Sequence, residues 1–391
     1  MLAALAGLTA CNGVTAGSAE PGDVRFCREV RQCPAKSPLV ESITMLQQSG
    51  ARPRFDPSGT RVAFDRKDDR TGFYHVYISD LDGHVVQQVT GRPGDPFRRN
   101  SGNAVFSPSG RFLVFIAEEN SHALDRVAST GDPGVGLFCN LWAYDRQSGA
   151  FTRLTDIEYP SSVLQGRVDY MAVVNPHFSK DGRRLLWTER YANDRKKKWG
   201  DWRVMQADVD DGHDGLQLRD IRIGYTPAQG NYVTYMGQFD SGQWLVSGNL
   251  DGQDVFGMDT YALDPANGQR RNLTRTPTFW EEDADVTRGQ HVIYMSNQDS
   301  AYRYDTDRDW KKQKITREYY LTDASGAHSE RLTYFNDPGA PEYLGKPAIA
   351  VASDVSPDGR LLVGTLGVDY GGQAHRMFDL SLMLIRFKNP E

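Results

Sequence analysis

The chain has 391 residues, more than one ordinary compact core needs, which suggests several packed units. Hydrophobic residues at 39% and charged residues at 25% are the balance of a folded, water-soluble protein. A net charge of -6 and an isoelectric point near 5.8 argue against a bulk nucleic-acid binder, which needs a basic surface to neutralise phosphates.

In chain order, the first segment is MLAALAGLTAC, small and apolar, ending at Cys11. Leu8-Thr9-Ala10-Cys11 resembles the lipobox of bacterial lipoproteins, in which the cysteine is acylated and becomes the first residue. The resemblance implies a signal segment over 1–11, lipidation at Cys11 and a place on the periplasmic side of the envelope. No Lys or Arg precedes the apolar run, although export signals carry a basic leader, so the true start is expected upstream. No later run approaches the ~18 apolar residues of a membrane span, so contact with the membrane is expected through lipid alone. Residues 12–38 read as a linker. Export permits disulfides, and Cys27, Cys33 and Cys139 allow three single pairings between which sequence does not choose. A free, buried Cys139 is equally consistent, and no spacing reads as a zinc site.

From Arg54 onward one hairpin is written repeatedly: RFDPSGTRVAF, VFSPSGRFLVF from Val105, HFSKDGRRLLW from His177 and DVSPDGRLLVG from Asp354. The turn glycines are Gly59, Gly110, Gly182, Gly242, Gly289 and Gly359. Each is followed by a Pro-free run rich in Val, Leu, Phe and Tyr, as strands require. A third run follows, such as HVYISDLDG or DTYALDPANG, ending in a hairpin signal. A fourth, such as VVQQVTG, FTRLTD, QRRNLTR or SERLTYF, closes most units; the third unit has the weaker GLQLRDIR there. Six units of four strands, A to D, predict an all-β fold, a six-bladed β-propeller over 39–391. The sixth unit ends at LSLMLIRFKNPE without a fourth strand. Val40–Leu46 is predicted to supply it, closing the ring and removing an open edge.

The F-S-P-D-G turn followed by x-x-x-[LV]-T resembles the TolB-type, WD-repeat-like propeller, most clearly in FSPSGRFLVF with TRLTD and in VSPDGRLLVG. The resemblance implies the fold across nearly the whole mature chain. It does not carry over the Tol-Pal partnership, because TolB has an additional α/β domain before its propeller. Propellers of this family bind peptides, proteins or glycans, serve as scaffolds, or in a few cases act as lyases, so the fold alone does not choose.

Connections A to B and C to D are tight and share one face. The longer B to C and D to A connections emerge on the other, where binding is expected. There Arg195 to Lys198 lie beside Trp199 and Trp202, a cationic and aromatic set suited to acidic or sugar ligands. Asp305, Asp307 and Asp309 form a D-x-D-x-D run that could gather Ca²⁺, but Trp310 and Thr316 stand where a calcium loop needs Gly and Glu. No other cofactor is expected. Inner strands begin near the axis, so Arg54, Asn103, His177, Gln238, Glu282, Asp283 and Asp354 are candidates to face the channel. Glu281, Glu282, Asp283 and Asp285 form a dense acidic group, suited to a cation or to a raised pKa, or simply paired with Arg or Lys from neighbouring blades.

Eight histidines are present; His75, His122, His177 and His375 are the mouth candidates. No H-E-x-x-H or G-x-S-x-G motif occurs. The ligand-binding set expected is Arg54, Asn103, His177, Trp199, Trp202, Glu282, Asp283, Asp354 and His375. The favoured reading is a non-catalytic recognition or scaffold propeller for an envelope protein, peptide or glycan. The alternative is a polysaccharide lyase or hydrolase resembling oligogalacturonate lyases.

Overall fold

Strand order within each sheet follows the sequence repeat. The computed structural model describes residues 34–120, 132–159, 171–192, 200–212, 215–300, 316–369 and 379–389, and its strands form six four-stranded sheets. Blade 1 is β2 to β5 (Ala51–Phe55, Arg61–Lys67, Tyr74–Asp80, Val85–Gln88) and blade 2 is β6 to β9 (Ser101–Phe106, Phe112–Glu118, Cys139–Asp145, Phe151–Arg153). Blade 3 is β10 to β13 (Ala172–Phe178, Arg184–Ala192, Asp201–Asp210, Gln217–Tyr225) and blade 4 is β14 to β17 (Val233–Gln238, Trp244–Gly248, Asp259–Leu263, Arg270–Asn272). Blade 5 is β18 to β21 (Glu282–Val286, Val292–Ser296, Glu318–Thr322, Ser329–Arg331). Blade 6 takes β22 to β24 (Ala348–Val355, Leu361–Val368, Asp379–Phe387) and, outside β24, the first strand β1 (Val40–Gln47). The chain is a six-bladed β-propeller closed by its N-terminal strand. β1 runs antiparallel to β24 with Ile43 opposite Ile385 and Met45 opposite Met383. Packing begins slightly before β1: the Lys36 N–H donates to the Glu342 carboxylate at 3.1 Å, and Ser37 is buried.

The repeated turn is held by the residue just after strand A. In blade 2 the Ser107 N–H donates to the Phe112 carbonyl, the Gly110 N–H donates to the Ser107 carbonyl (both 2.8 Å), and the Phe112 N–H donates to Ser107 Oγ at 3.0 Å. Ser179 and Ser356 repeat the side-chain bond, accepting from Arg184 and Leu361. Asp56 does the same with its carboxylate, accepting from the Arg61 N–H at 3.0 Å. Gly59, Gly110, Gly182, Gly242 and Gly359 take the left-handed conformation the turn demands. Blade 5 differs from expectation: Gln290, at φ 64°, takes the left-handed place there rather than Gly289.

The Leu/Val-Thr signature also has a local cause. As strand D leaves the sheet, the Thr side chain supplies the last rung. Val76, Leu141, Thr260 and Tyr319 N–H groups donate to Oγ1 of Thr90, Thr155, Thr274 and Thr333 at 2.8–3.1 Å. Three of these hydroxyls donate onward to buried Asn140, Asp259 and Glu318 at 2.7–2.8 Å. Blade 3, whose fourth run has no such Thr, instead extends β13 to nine residues.

The apolar cores lie between blades rather than within them. One joins blades 5 and 6 through Ile293, Tyr319, Leu362 and Ile385; another joins blades 6 and 1 through Leu46, Phe64, Val363 and Leu382. The remaining four interfaces repeat the arrangement. Each fully buried side chain of this size contributes about 1.5–3 kcal/mol, so each blade stabilises two neighbours.

Candidate functional site

The channel lining arises from one irregularity repeated in every innermost strand. Pairing shifts register once in each, between Ala51 and Arg54, Gly102 and Val105, Val174 and His177, Tyr235 and Gly237, Glu282 and Asp285, and Ala350 and Ser353. Such a bulge unpairs one residue and re-aims side chains. At four of the six the residue turned is left-handed without being glycine: Arg52, Asn103, Asn175 and Asp283, with φ between 49° and 52°. That conformation is tolerated by Asn and Asp and is strained for Arg.

These residues form a belt of hydrogen bonds across blades. The Arg52 N–H donates to Thr365 Oγ1 at 3.0 Å, and the Arg52 guanidinium grips Asp65 through Nε (3.0 Å) and Nη2 (2.5 Å). Asp65 Oδ1 accepts from the Asn103 N–H at 3.0 Å. Asn103 Nδ2 donates to Asn175 Oδ1, and Asn175 Nδ2 to Thr234 Oγ1, each at 2.9 Å. Blades 6, 1, 2, 3 and 4 are thereby tied around the axis.

Toward the tight turns, two adjoining depressions of about 350 and about 390 Å³ share His177, Lys180, Asp354 and Pro357 in their walls. Arg54 lines the second of them. Its guanidinium donates to the Ser353 carbonyl, stands 3.2 Å from His177 Nε2 and lies 3.8 Å from Asp285. Asp354 accepts from the Phe55 N–H at 2.6 Å, and Ser353 Oγ donates to Asp285 at 2.5 Å. Burial pushes the Asp354 carboxyl up to about 6 and that of Asp285 well above the carboxylate range, while Arg54 pulls both back. Burial, with Arg54 nearby, holds His177 well below the imidazole range, so its ring is neutral at pH 7.

Toward the long connections, blades 4 to 6 form a second cluster. Glu282 accepts from the Tyr232 hydroxyl (3.1 Å) and from Trp280 Nε1 (3.0 Å). The Arg317 guanidinium lies 3.7 Å from the centre of the Trp280 ring, which also packs edge-on against Phe256. Burial pushes Glu282 up to about 7, Asp283 adds to this and Arg317 opposes it. Burial also raises Asp283, against the pull of Arg317, Arg54 and Arg52.

Of the residues singled out from sequence, Arg54, His177 and Asp354 meet at the tight-turn mouth. Asn103 and Asp283 stand at bulges, and Glu282 adjoins the aromatic cluster. Gln238 lines the same depression as His177. Trp202 is corrected: it lies inside β12, 8% exposed, packed on Ala172 and Val174 and edge-on to Tyr232, so it is a core residue and not an exposed loop aromatic. His75 is buried on β4, and Cys139 is buried on β8. Cys11, Cys27, Cys33, His122, Arg195 to Lys198, Trp199, Asp305, Asp307, Asp309 and His375 lie outside the described residues. Among the described residues no group of three or more His, Cys, Asp or Glu side chains is arranged to hold a metal ion, and no helix is long and apolar enough to cross a membrane. Sequence reasoning missed Arg52, Asn175, Trp280 and Arg317; alignment of the six inner strands would have marked the first two, at the bulge position.

No protein-family model matches the chain, and no curated protein sequence matches it. Solved structures do. A gluconolactonase from Xanthomonas campestris superposes with a TM-score of 0.51 at 13% identity, over 97% of this chain and 100% of that one. TolB from Acinetobacter baumannii gives 0.48 at 15% identity, over 85% of this chain and 65% of that one. An oligogalacturonate lyase in complex with manganese gives 0.48 at 15%, over 94% and 97%. What they share with this chain is the propeller. At these identities the likeness is one of architecture, and the chain spans about two thirds of the length of that TolB.

Proposed function

We propose that the chain is a non-catalytic recognition propeller of the bacterial cell envelope, which takes a peptide, a protein segment or a glycan at its axial channel from the face with the long connections. The observation that supports this most is Asp283. Its backbone is held left-handed at a bulge, and its carboxylate has no hydrogen bond or ion pair within the described residues. A rigid ring that presents a polar group with its bonding unmet is suited to a ligand that supplies the bond. The reading needs no cofactor. Trp199 and His375 are assigned to the same face as further contacts, and Cys11 to the lipid anchor. Defined peptide and glycan arrays test it. At least one ligand should be retained, at least tenfold more weakly by Asp283→Asn, with the melting temperature unchanged. A panel in which nothing bound depends on Asp283, Trp199 or His375 defeats it. Loss of fatty-acid labelling in Cys11→Ser checks the anchor.

A second reading, a uronate-polysaccharide lyase, is favoured by the neutral His177 ring beside the Arg54 guanidinium. In an elimination the imidazole would take the proton next to the carboxylate. The electron pair would form the double bond, and the glycosidic oxygen would leave with the bonding pair and a proton from solvent. Uronate polymer incubated with the chain would then gain unsaturated-product absorbance, lost in His177→Ala.

A further inference from the structure

Where blades 4, 5 and 6 meet, two opposite charges have unmet bonding within the described residues. Arg317 is 6% exposed, and its Nε has no hydrogen-bond partner within the described residues. Its guanidinium forms no ion pair within the described residues, although Glu282 and Asp283 feel its charge. A buried donor without an acceptor is uncommon and costly, and asks for a partner. Its position is fixed: the Arg317 N–H donates to the Ala348 carbonyl (3.1 Å), the Arg317 carbonyl accepts from the Ala350 N–H (3.0 Å), and the guanidinium is stacked on Trp280. Asp283 supplies the opposite charge, half-buried on its bulge. Packed with Trp280 is a buried apolar cluster of Phe256 and Ile349, flanked by Val255 and Val351.

An anion alone would meet Arg317 but also the carboxyls of Glu282 and Asp283. A cation alone would meet those carboxyls but also Arg317. We propose that this cluster binds a zwitterionic α-amino acid with an apolar side chain, its carboxylate on the Arg317 guanidinium, its ammonium on the Asp283 carboxylate and its side chain beside Phe256 and Ile349. The proposal rests on the reading of the channel as a binding site and names one ligand class for it. Planar guanidinium and carboxylate match as a fork, and one small ligand satisfies both charges without burying an unpaired one.

Calorimetric titration of the full chain at pH 7 with L-leucine, N-acetyl-L-leucine and L-leucinamide tests it. Leucine should bind saturably, and each blocked analogue at least tenfold more weakly. Asp283→Asn and Arg317→Gln should each weaken leucine at least tenfold. Asn keeps the left-handed backbone available, so Asp283→Asn carries the test if Arg317→Gln does not fold. No saturation by millimolar leucine, equal binding of either analogue, or unchanged binding by Asp283→Asn overturns the assignment. Array ligands that depend on Asp283, together with absent leucine binding, overturn this inference alone and leave the recognition reading standing.

Discussion

The guanidinium of Arg54, rooted in blade 1, reaches His177 of blade 3 at 3.2 Å and Asp285 of blade 5 at 3.8 Å. One side chain thus bonds across the axis and is the countercharge for two buried carboxyls, Asp285 and Asp354. Arg54→Gln should destabilise the fold by about 3–5 kcal/mol at pH 7, the usual cost of breaking a buried pair by removing one partner. The loss should shrink at pH 5, where the unpaired carboxyls take protons instead. Urea titrations at the two pH values check both parts.

Glu281 predicts how stability depends on pH. It is fully buried among Thr276, Ser296 and Asp259, and burial pushes it up to about 8 from an ordinary 4.5. The fold therefore holds this proton more tightly than the unfolded chain does. Its stabilising effect is complete below pH 4.5 and is lost as pH rises through about 8. Melting temperatures taken from pH 5 to 9 should fall, and the fall should be shallower in Glu281→Gln.

Thr333 closes the C to D ladder of blade 5, accepting from the Tyr319 N–H and donating to Glu318. Thr333→Val keeps the shape and removes both bonds, leaving a buried N–H and a buried carboxyl short of partners. A loss of about 1–3 kcal/mol is expected, read as a lower urea midpoint with an unchanged slope.

Ile43 on β1 is wholly buried against the core shared by blades 5 and 6. Ile43→Ala should cost about 2–5 kcal/mol. Removing residues 34–47 should abolish the single cooperative transition, because blade 6 would lose its outer strand. Circular dichroism during chemical denaturation distinguishes one transition from several.

The fold was legible because its signals are local. The Ser-x-x-Gly turn and the terminal Thr each satisfy backbone groups within a few residues, so the bonding pattern is written as a short motif. The closing strand was legible from a count, since blade 6 lacked a partner that Val40–Gln47 could supply. The site was half legible. Arg54, His177 and Asp354 could be placed because they sit at a fixed offset from the turn. Arg317 and Trp280 could not, because they meet only when β20 and the segment before β18 converge from separate connections. Gly289 misled because the turn shifted by one residue to Gln290, and Trp202 because β12 begins at Asp201, so a residue next to a loop is already inside the sheet.

The pairing of β1 with β24 sets an order on how the molecule comes to exist. Synthesis releases the first of these strands well before the second, so Val40–Gln47 stays without its mate while five complete blades emerge between them. During that interval the nascent chain carries an unpaired apolar strand ahead of blade 1 and, after blade 5, a sheet still missing an edge. Anything that delays β24 lengthens the time in which another molecule's strand can take the vacant place.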